Sequence, residues 1–351
     1  MGTQLVKNEN QILLFDLIQK AIPANFAMVD VVSDLLNISN DAAYRRIRGA
    51  KLIDFEETVL LCNHFKISLD SFVNAGDNKK QIQCGYTPLD LKDLHNHVFY
   101  LQNLLDDIDT VRLAAPDGEM IVSAATLPTF SYLPYHELTF FILFSWSNSV
   151  YGFSGNYDEF IKQLDVNDLV PFYEKIVKSY QQVPSTEIWT IGTIDRVLTL
   201  LNHHYEMGHF SDENFPLLLC EQLLDLVNTL QNWTEKGAKG TNATPYKFYV
   251  SEIDFDNSFI LFKTANTSKC FLKLFTINGL RTSNEWFCRE IENWLDNTEQ
   301  RSTLISGASE KERYKFFSSL KQKVRFLIDK IYQSNLKEWA KINKGVSLDH
   351  R

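Results

Sequence analysis

Positive charge is scarce in this sequence. Its 351 residues carry 35 Lys and Arg against 44 Asp and Glu, a formal net charge of -9 at pH 7. Coating nucleic acid over a wide surface needs a surplus of phosphate-neutralising cations. That class is excluded, while a local basic patch is not. Long apolar runs are missing too. The most apolar stretch, LTFFILFSWSNSVYGF from Leu138, mixes Ser and Asn into a run shorter than the roughly 20 residues a spanning helix needs. The first residues, MGTQLVKNENQILLFDLIQK, lack the apolar core and small-residue cleavage site of a signal peptide. A cytoplasmic protein with no membrane partner is therefore expected.

Cysteine and phosphate-cradling motifs are equally thin. Cys62, Cys84, Cys220, Cys270 and Cys288 are odd in number and scattered, and no pair has zinc or redox spacing, so they read as buried free thiols. There is neither a P-loop nor a GxGxxG fingerprint. SGAS around Ser306 lacks the GxSxG elbow of a serine nucleophile, and the carboxylates show no acid/base pair. His203, His204 and His209 in NHHYEMGHF are too poorly spaced to share one helical face as metal ligands. No catalytic residue, metal or cofactor is expected, and a hydrolase reading is the weakest of three. What is abundant is apolar mass: 44% hydrophobic residues, with 25 Phe and 14 Tyr, which calls for a large core.

The N-terminal region reads as short helices. Ile12, Phe15, Ile18 and Ile22 recur at helical spacing before Pro23, and Val29, Val32 and Leu36 form a second stripe. NISNDAAYRRIRGAK, residues 37–51, follows. Ser39 suits an N-cap and Gly49 suits a left-handed terminus. Ala43 and Ile47 lie four apart and face inward, leaving Asp41, Tyr44, Arg45 and Arg48 on the other side. Asp54 with Glu57 three residues on makes a capping box for a fourth helix, with Phe55, Val59 and Cys62 as its inner stripe. A helix that turns arginines outward from such a bundle has the side chains to reach guanine edges or phosphates in a major groove about 12 Å wide.

MVDVVSDLLNISNDAAYRRIRGAKLIDFEETVLLCNHFKISLDSF resembles the helix-turn-helix of Cro/CI-type (XRE-type) regulators, especially the form that precedes large uncharacterised domains in Bacteroidetes-type bacterial transcriptional regulators. Ser39 falls where that family begins its recognition helix, and RGAK falls on its closing turn. The resemblance covers about a fifth of the chain. It implies that Asn40, Asp41, Tyr44 and Arg45 face bases, and that Arg46, Arg48 and Lys51 face phosphates or the groove edge. Two departures stand out. The second helix lacks the family's usual initial Gln, with Met28 and Asp30 nearby instead. Residues 1–75 also carry seven Lys and Arg against nine Asp and Glu, so one such domain should bind DNA weakly and two should be needed.

Residues 76–110 read as a polar linker and a candidate dimerisation helix. Leu91, Leu94, Val98, Leu101, Leu105 and Ile108 step by threes and fours, as a short heptad seam does. The same pattern suits a helix packed on its own domain. From residue 111 to 351 the patterns suggest a helical layer and, over PYKFYVSEIDFDNSFILFKTANTSKCFLKLFTINGL, a three-stranded antiparallel meander. Thr282 with Glu285 suggests a further capping box, and Trp146, Tyr151, Trp189 and Tyr205 are candidates for either core or an apolar effector pocket.

The expected fold class is mainly α: an N-terminal helix-turn-helix bundle at 1–75, then an α+β regulatory or oligomerisation domain with a small antiparallel sheet. The expected function is a homodimeric, sequence-specific regulator that binds double-stranded DNA and answers to a small-molecule or protein effector. The alternative is a non-catalytic protein-interaction scaffold.

Overall fold

The computed structural model describes residues 9–22, 26–65, 67–69, 82–86, 89, 94–274 and 277–346. By compactness the chain divides into two units, Met1–Gln83 and Cys84–Arg351.

The first unit is a bundle of α1 (Glu9–Ala21), α2 (Met28–Leu36), α3 (Asn40–Ile47) and α4 (Phe55–Phe65). Leu14, Phe15, Ile18 and Ile22 from α1 and its end meet Val32, Ala43, Leu61 and Cys62 in one small core. The expected stripe of α4 is shifted: Leu61 and Cys62 are buried, whereas Phe55 points to solvent. Three residues join α2 to α3. Asn37 adopts the left-handed conformation that Asn tolerates at a helix end, and its backbone N–H donates to the Asp34 carbonyl.

The second unit runs, in order, through β1 (Gly85–Tyr86), α5 (Leu94–Leu113), β2 (Glu119–Ala124), α6 (Thr129–Tyr132), α7 (His136–Tyr151), α8 (Tyr157–Ile161), α9 (Val166–Tyr180), β3 (Ser185–Trp189), α10 (Asp195–Glu206), α11 (Phe215–Lys236), β4 (Ala238–Lys239), β5 (Thr244–Val250), β6 (Phe259–Lys263), β7 (Ser268–Lys273), β8 (Gly279–Thr282), α12 (Glu285–Gln300), β9 (Thr303–Leu304) and α13 (Glu310–Val346). The strands form one sheet in the order β1-β8-β7-β6-β2-β3-β5-β4, with β9 also on β5. β2, β3 and β5 run parallel, with Met120 opposite Ser185 and Ser185 opposite Tyr246. β6, β7 and β8 form an antiparallel meander joined to β2 through Val122 and Ile260.

The expected fold class is overturned. Among the described residues the sheet has nine strands with both parallel and antiparallel pairs, so the protein is mixed α/β. PYKFYV is not the first strand of a meander; it is β5, parallel to β3. The meander proper starts at Phe259. β3, STEIW, carries no strand signal in the sequence, because all five residues are buried and no alternation marks it.

The sheet separates two cores. Met120, Val122, Trp189, Tyr246, Phe248 and Phe262 meet α5, α7, α9, α11 and α13 on one face. Ile121, Ile188, Leu261 and Cys270 meet Cys288, Ile291 and Leu295 of α12 on the other. The cap of α12 is Asn284, whose side chain accepts from the Phe287 N–H at 2.9 Å; Thr282 does not serve.

The heptad seam is also corrected. Leu101, Leu105 and Ile108 are buried in the core of their own unit, and Val98 packs against it. A side chain enclosed this way has no surface left for a second chain. Leu91 and the side chain of Leu94 lie outside the described residues. α5 belongs to the second unit. Trp146 and Trp189 are fully buried core residues. Tyr151 and Tyr205 pack against the same core, where the Tyr151 hydroxyl donates to the Leu89 carbonyl at 2.6 Å and the Tyr205 hydroxyl donates to Asn335 at 2.8 Å.

Candidate nucleic-acid interface

α3 is fixed at both ends by its own sequence. The Ser39 hydroxyl accepts from the Ala42 N–H at 3.3 Å. Gly49, at φ 68, turns the chain out of the helix, and its N–H donates to the Arg46 carbonyl at 2.9 Å. A residue with a Cβ is disfavoured at that φ. Ala43 is fully buried and Ile47 packs on the same core, as their spacing predicts.

Arg46 departs from the expectation. It is 6% exposed and turned inward. Its Nε donates to Glu57 Oε2 at 2.9 Å and its Nη2 to Glu57 Oε1 at 2.6 Å, a bidentate fork, while Nη1 donates to the Ala42 carbonyl at 3.2 Å. It cannot face a phosphate while held there. Hydrogen bonding to Arg46 holds the Glu57 carboxyl below its ordinary pKa against the opposing effect of burial, and the same bond raises the guanidinium. Glu57 does double duty, since it also closes the expected capping box: the Glu57 N–H donates to Asp54 at 2.7 Å and the Asp54 N–H donates back at 3.3 Å.

A second brace lies in α1. The Gln11 side-chain amide donates to the Arg46 and Lys51 carbonyls at 2.7 and 2.8 Å, and its oxygen accepts from the Ile53 N–H at 3.1 Å. One buried amide thus ties α1 to the turn after α3. No spacing in the sequence marks it; the one available signal is a polar residue on the apolar side of an amphipathic helix.

The remaining expected contacts share an outward surface. Ser39, Asn40, Asp41, Tyr44, Arg45, Arg48 and Lys51 are all exposed. The Arg48 guanidinium stacks on the Tyr44 ring, 4.3 Å from its centroid, which stiffens two long side chains together. Asn40 donates to Asp30 Oδ1 of α2 at 3.1 Å. Asp30, Asp34 and Asp41 are exposed as well, so the cations stand among acids. Such a face repels a phosphate backbone more than a purely basic one, and binding depends on where each arginine lands.

Comparison with family models, with curated proteins and with solved structures found no match for this chain. Among the described residues no helix is long and apolar enough to cross a membrane. All five cysteines are free and four are buried, with Cys84 exposed.

Proposed function

We propose that the chain is a sequence-specific DNA-binding transcriptional regulator that acts as a homodimer and is controlled through its second unit. The observation that supports this reading is the division of labour among Arg45 and Arg46 of the third helix and Arg48 at its C-cap. One is spent inside the bundle to lock the helix, and two stand outside, on a short rod narrow enough for a major groove. The mixed charge of the unit makes one copy a weak binder, and pairing two copies supplies the affinity. Since Leu101, Leu105 and Ile108 are enclosed, the dimer contact lies elsewhere. An effector that binds two states of the protein unequally then shifts operator affinity.

Electrophoretic mobility shift with a library of palindromic sites tests this. Arg45→Ala should relax base preference at one position, costing about 1–3 kcal/mol for a bidentate base contact. Arg48→Ala should weaken all sequences alike and lower the salt slope by about one unit. If neither variant differs from the parent, the assigned face is wrong. The acidic balance of the unit favours one other reading, a protein-interaction scaffold. It predicts no shift of any duplex at low salt.

A further inference from the structure

Two cations converge at the carboxyl ends of the parallel strands with no acid between them. Lys273, the last residue of β7, donates to the Thr126 hydroxyl and to the Leu127 carbonyl, both at 2.9 Å. Both acceptors are neutral, so neither bond brings the ammonium a counter-charge. Arg196, in the first turn of α10, lines the same recess. Among the described residues neither forms an ion pair. Arg281 by contrast is paired with a carboxylate, that of Asp107.

The rest of the recess is apolar, with Leu127, Tyr132, Ile142, Val197 and Leu200 around a cavity of about 30 Å³. One water needs about 10–15 Å³ of such space, so the recess itself takes about two or three heavy atoms, the size of a carboxylate head, and a short tail lies along its open, Arg196 side. The loop that forms the floor is pinned, since the Ala125 and Thr126 N–H groups donate to the Ser258 hydroxyl at 3.0 and 3.3 Å. Burial pushes the Lys273 ammonium down to about 7, and the Arg196 charge acts in the same direction. An anion between the two cations relieves both effects. The place also fits the general rule for sheets of this kind, whose ligands lie outside the carboxyl ends of the strands.

We propose that this recess binds a small monocarboxylate, its carboxylate held by Lys273 and Arg196 and its short alkyl group laid against Ile142, Val197 and Leu200. One planar charged head with an apolar tail matches two cations beside a hydrocarbon wall. Phosphate, with oxygens on every side, leaves some of them against that wall. The site supplies the chemical class of an effector, and it stands or falls without reference to DNA recognition.

The test is isothermal titration calorimetry of the full chain with sodium acetate, sodium propionate and sodium phosphate, against chloride at constant ionic strength, on the acid side of neutrality where Lys273 is charged. Both carboxylates should bind saturably, propionate about fourfold tighter for its extra buried methylene. Arg196→Gln changes an exposed residue and leaves the fold alone; it should weaken propionate about tenfold, the loss expected for one charged hydrogen bond. Lys273→Met should abolish the heat while the tryptophan fluorescence of the second unit stays native. The proposal is overturned if neither carboxylate binds saturably, if phosphate is preferred, or if Arg196→Gln binds propionate like the parent.

Discussion

Lys239→Ala should destabilise the second unit by about 3–5 kcal/mol, the range seen when one member of a buried charge pair is removed. Lys239 has no exposed surface. Its ammonium lies 3.3 Å from the centroid of the Tyr180 ring and donates to the Ser185 hydroxyl. The fully buried Glu187, two residues along β3, accepts from the Tyr180 hydroxyl and, at 2.7 Å, from the Trp189 indole N–H. Burial lowers the lysine pKa and raises the glutamate pKa, and the attraction between the two opposes each shift. Removing the lysine leaves Glu187 enclosed without its counter-charge and opens a cavity the size of four methylenes. Lys239→Met restores the volume and not the charge, so it should recover only part of the loss. Combined with Glu187→Leu it should cost much less than the two single changes added together, because each change then removes the other's unpaired partner. All six tryptophans lie after residue 83. Urea unfolding followed by tryptophan fluorescence therefore reports this unit alone. A Lys239→Ala midpoint equal to the parent's would show that the ammonium is not held by this network.

How far the fold could be read in advance depended on where each residue's partners lie. The caps of α3 and α4 involve neighbours three residues apart, so Ser39, Gly49, Asp54 and Glu57 announced them. β3 had no such signal. Its residues are buried on both faces of a central strand, so Ser185 and Glu187 occupy positions where a surface strand would show apolar alternation. The stripe on α5 is ambiguous for a different reason, since a coiled-coil seam and a core-facing helix both repeat every three and four residues. The width of the stripe separates them. His97, Tyr100, Leu104 and Val111 are buried beside the expected positions, which makes the apolar face broader than two residues per heptad. Arg46 faces inward, against the expectation, because adjacent arginines on a helix point about 100° apart, and nothing local in the sequence marks Glu57, eleven residues on, as the partner of the inner one. The recess between Lys273 and Arg196 joins loops and helices separated by well over a hundred residues, and no local pattern brings them together.

Glu57→Ala brings that point to a measurement with opposite signs for two arguments. On charge alone, deleting an acid from a unit with ten of them should tighten DNA binding. On the geometry it should do the reverse. The change strands the Arg46 guanidinium inside the bundle and opens the capping box of α4, and the expected cost to the first unit is about 2–3 kcal/mol for bonds to a charged group. α3 then loses its anchor, and any duplex read by Arg45 and Arg48 should be bound more weakly. Hydrogen exchange of the amides of residues 40–47 in the full chain, read by mass spectrometry, measures the anchor without reference to DNA, and those amides should exchange faster. Acid should act like the substitution. The Glu57 pKa is depressed in the folded protein, so its contribution is complete above the unfolded value of about 4.3 and is lost as pH falls through the folded one. The parent should therefore show exchange in α3 rising below about pH 4 once the intrinsic rates are divided out, and Glu57→Gln should show little such rise. Tighter duplex binding by Glu57→Ala with unchanged exchange would mean that the arginine fork does not hold the helix, and that the outward side chains owe their placement to the apolar core alone.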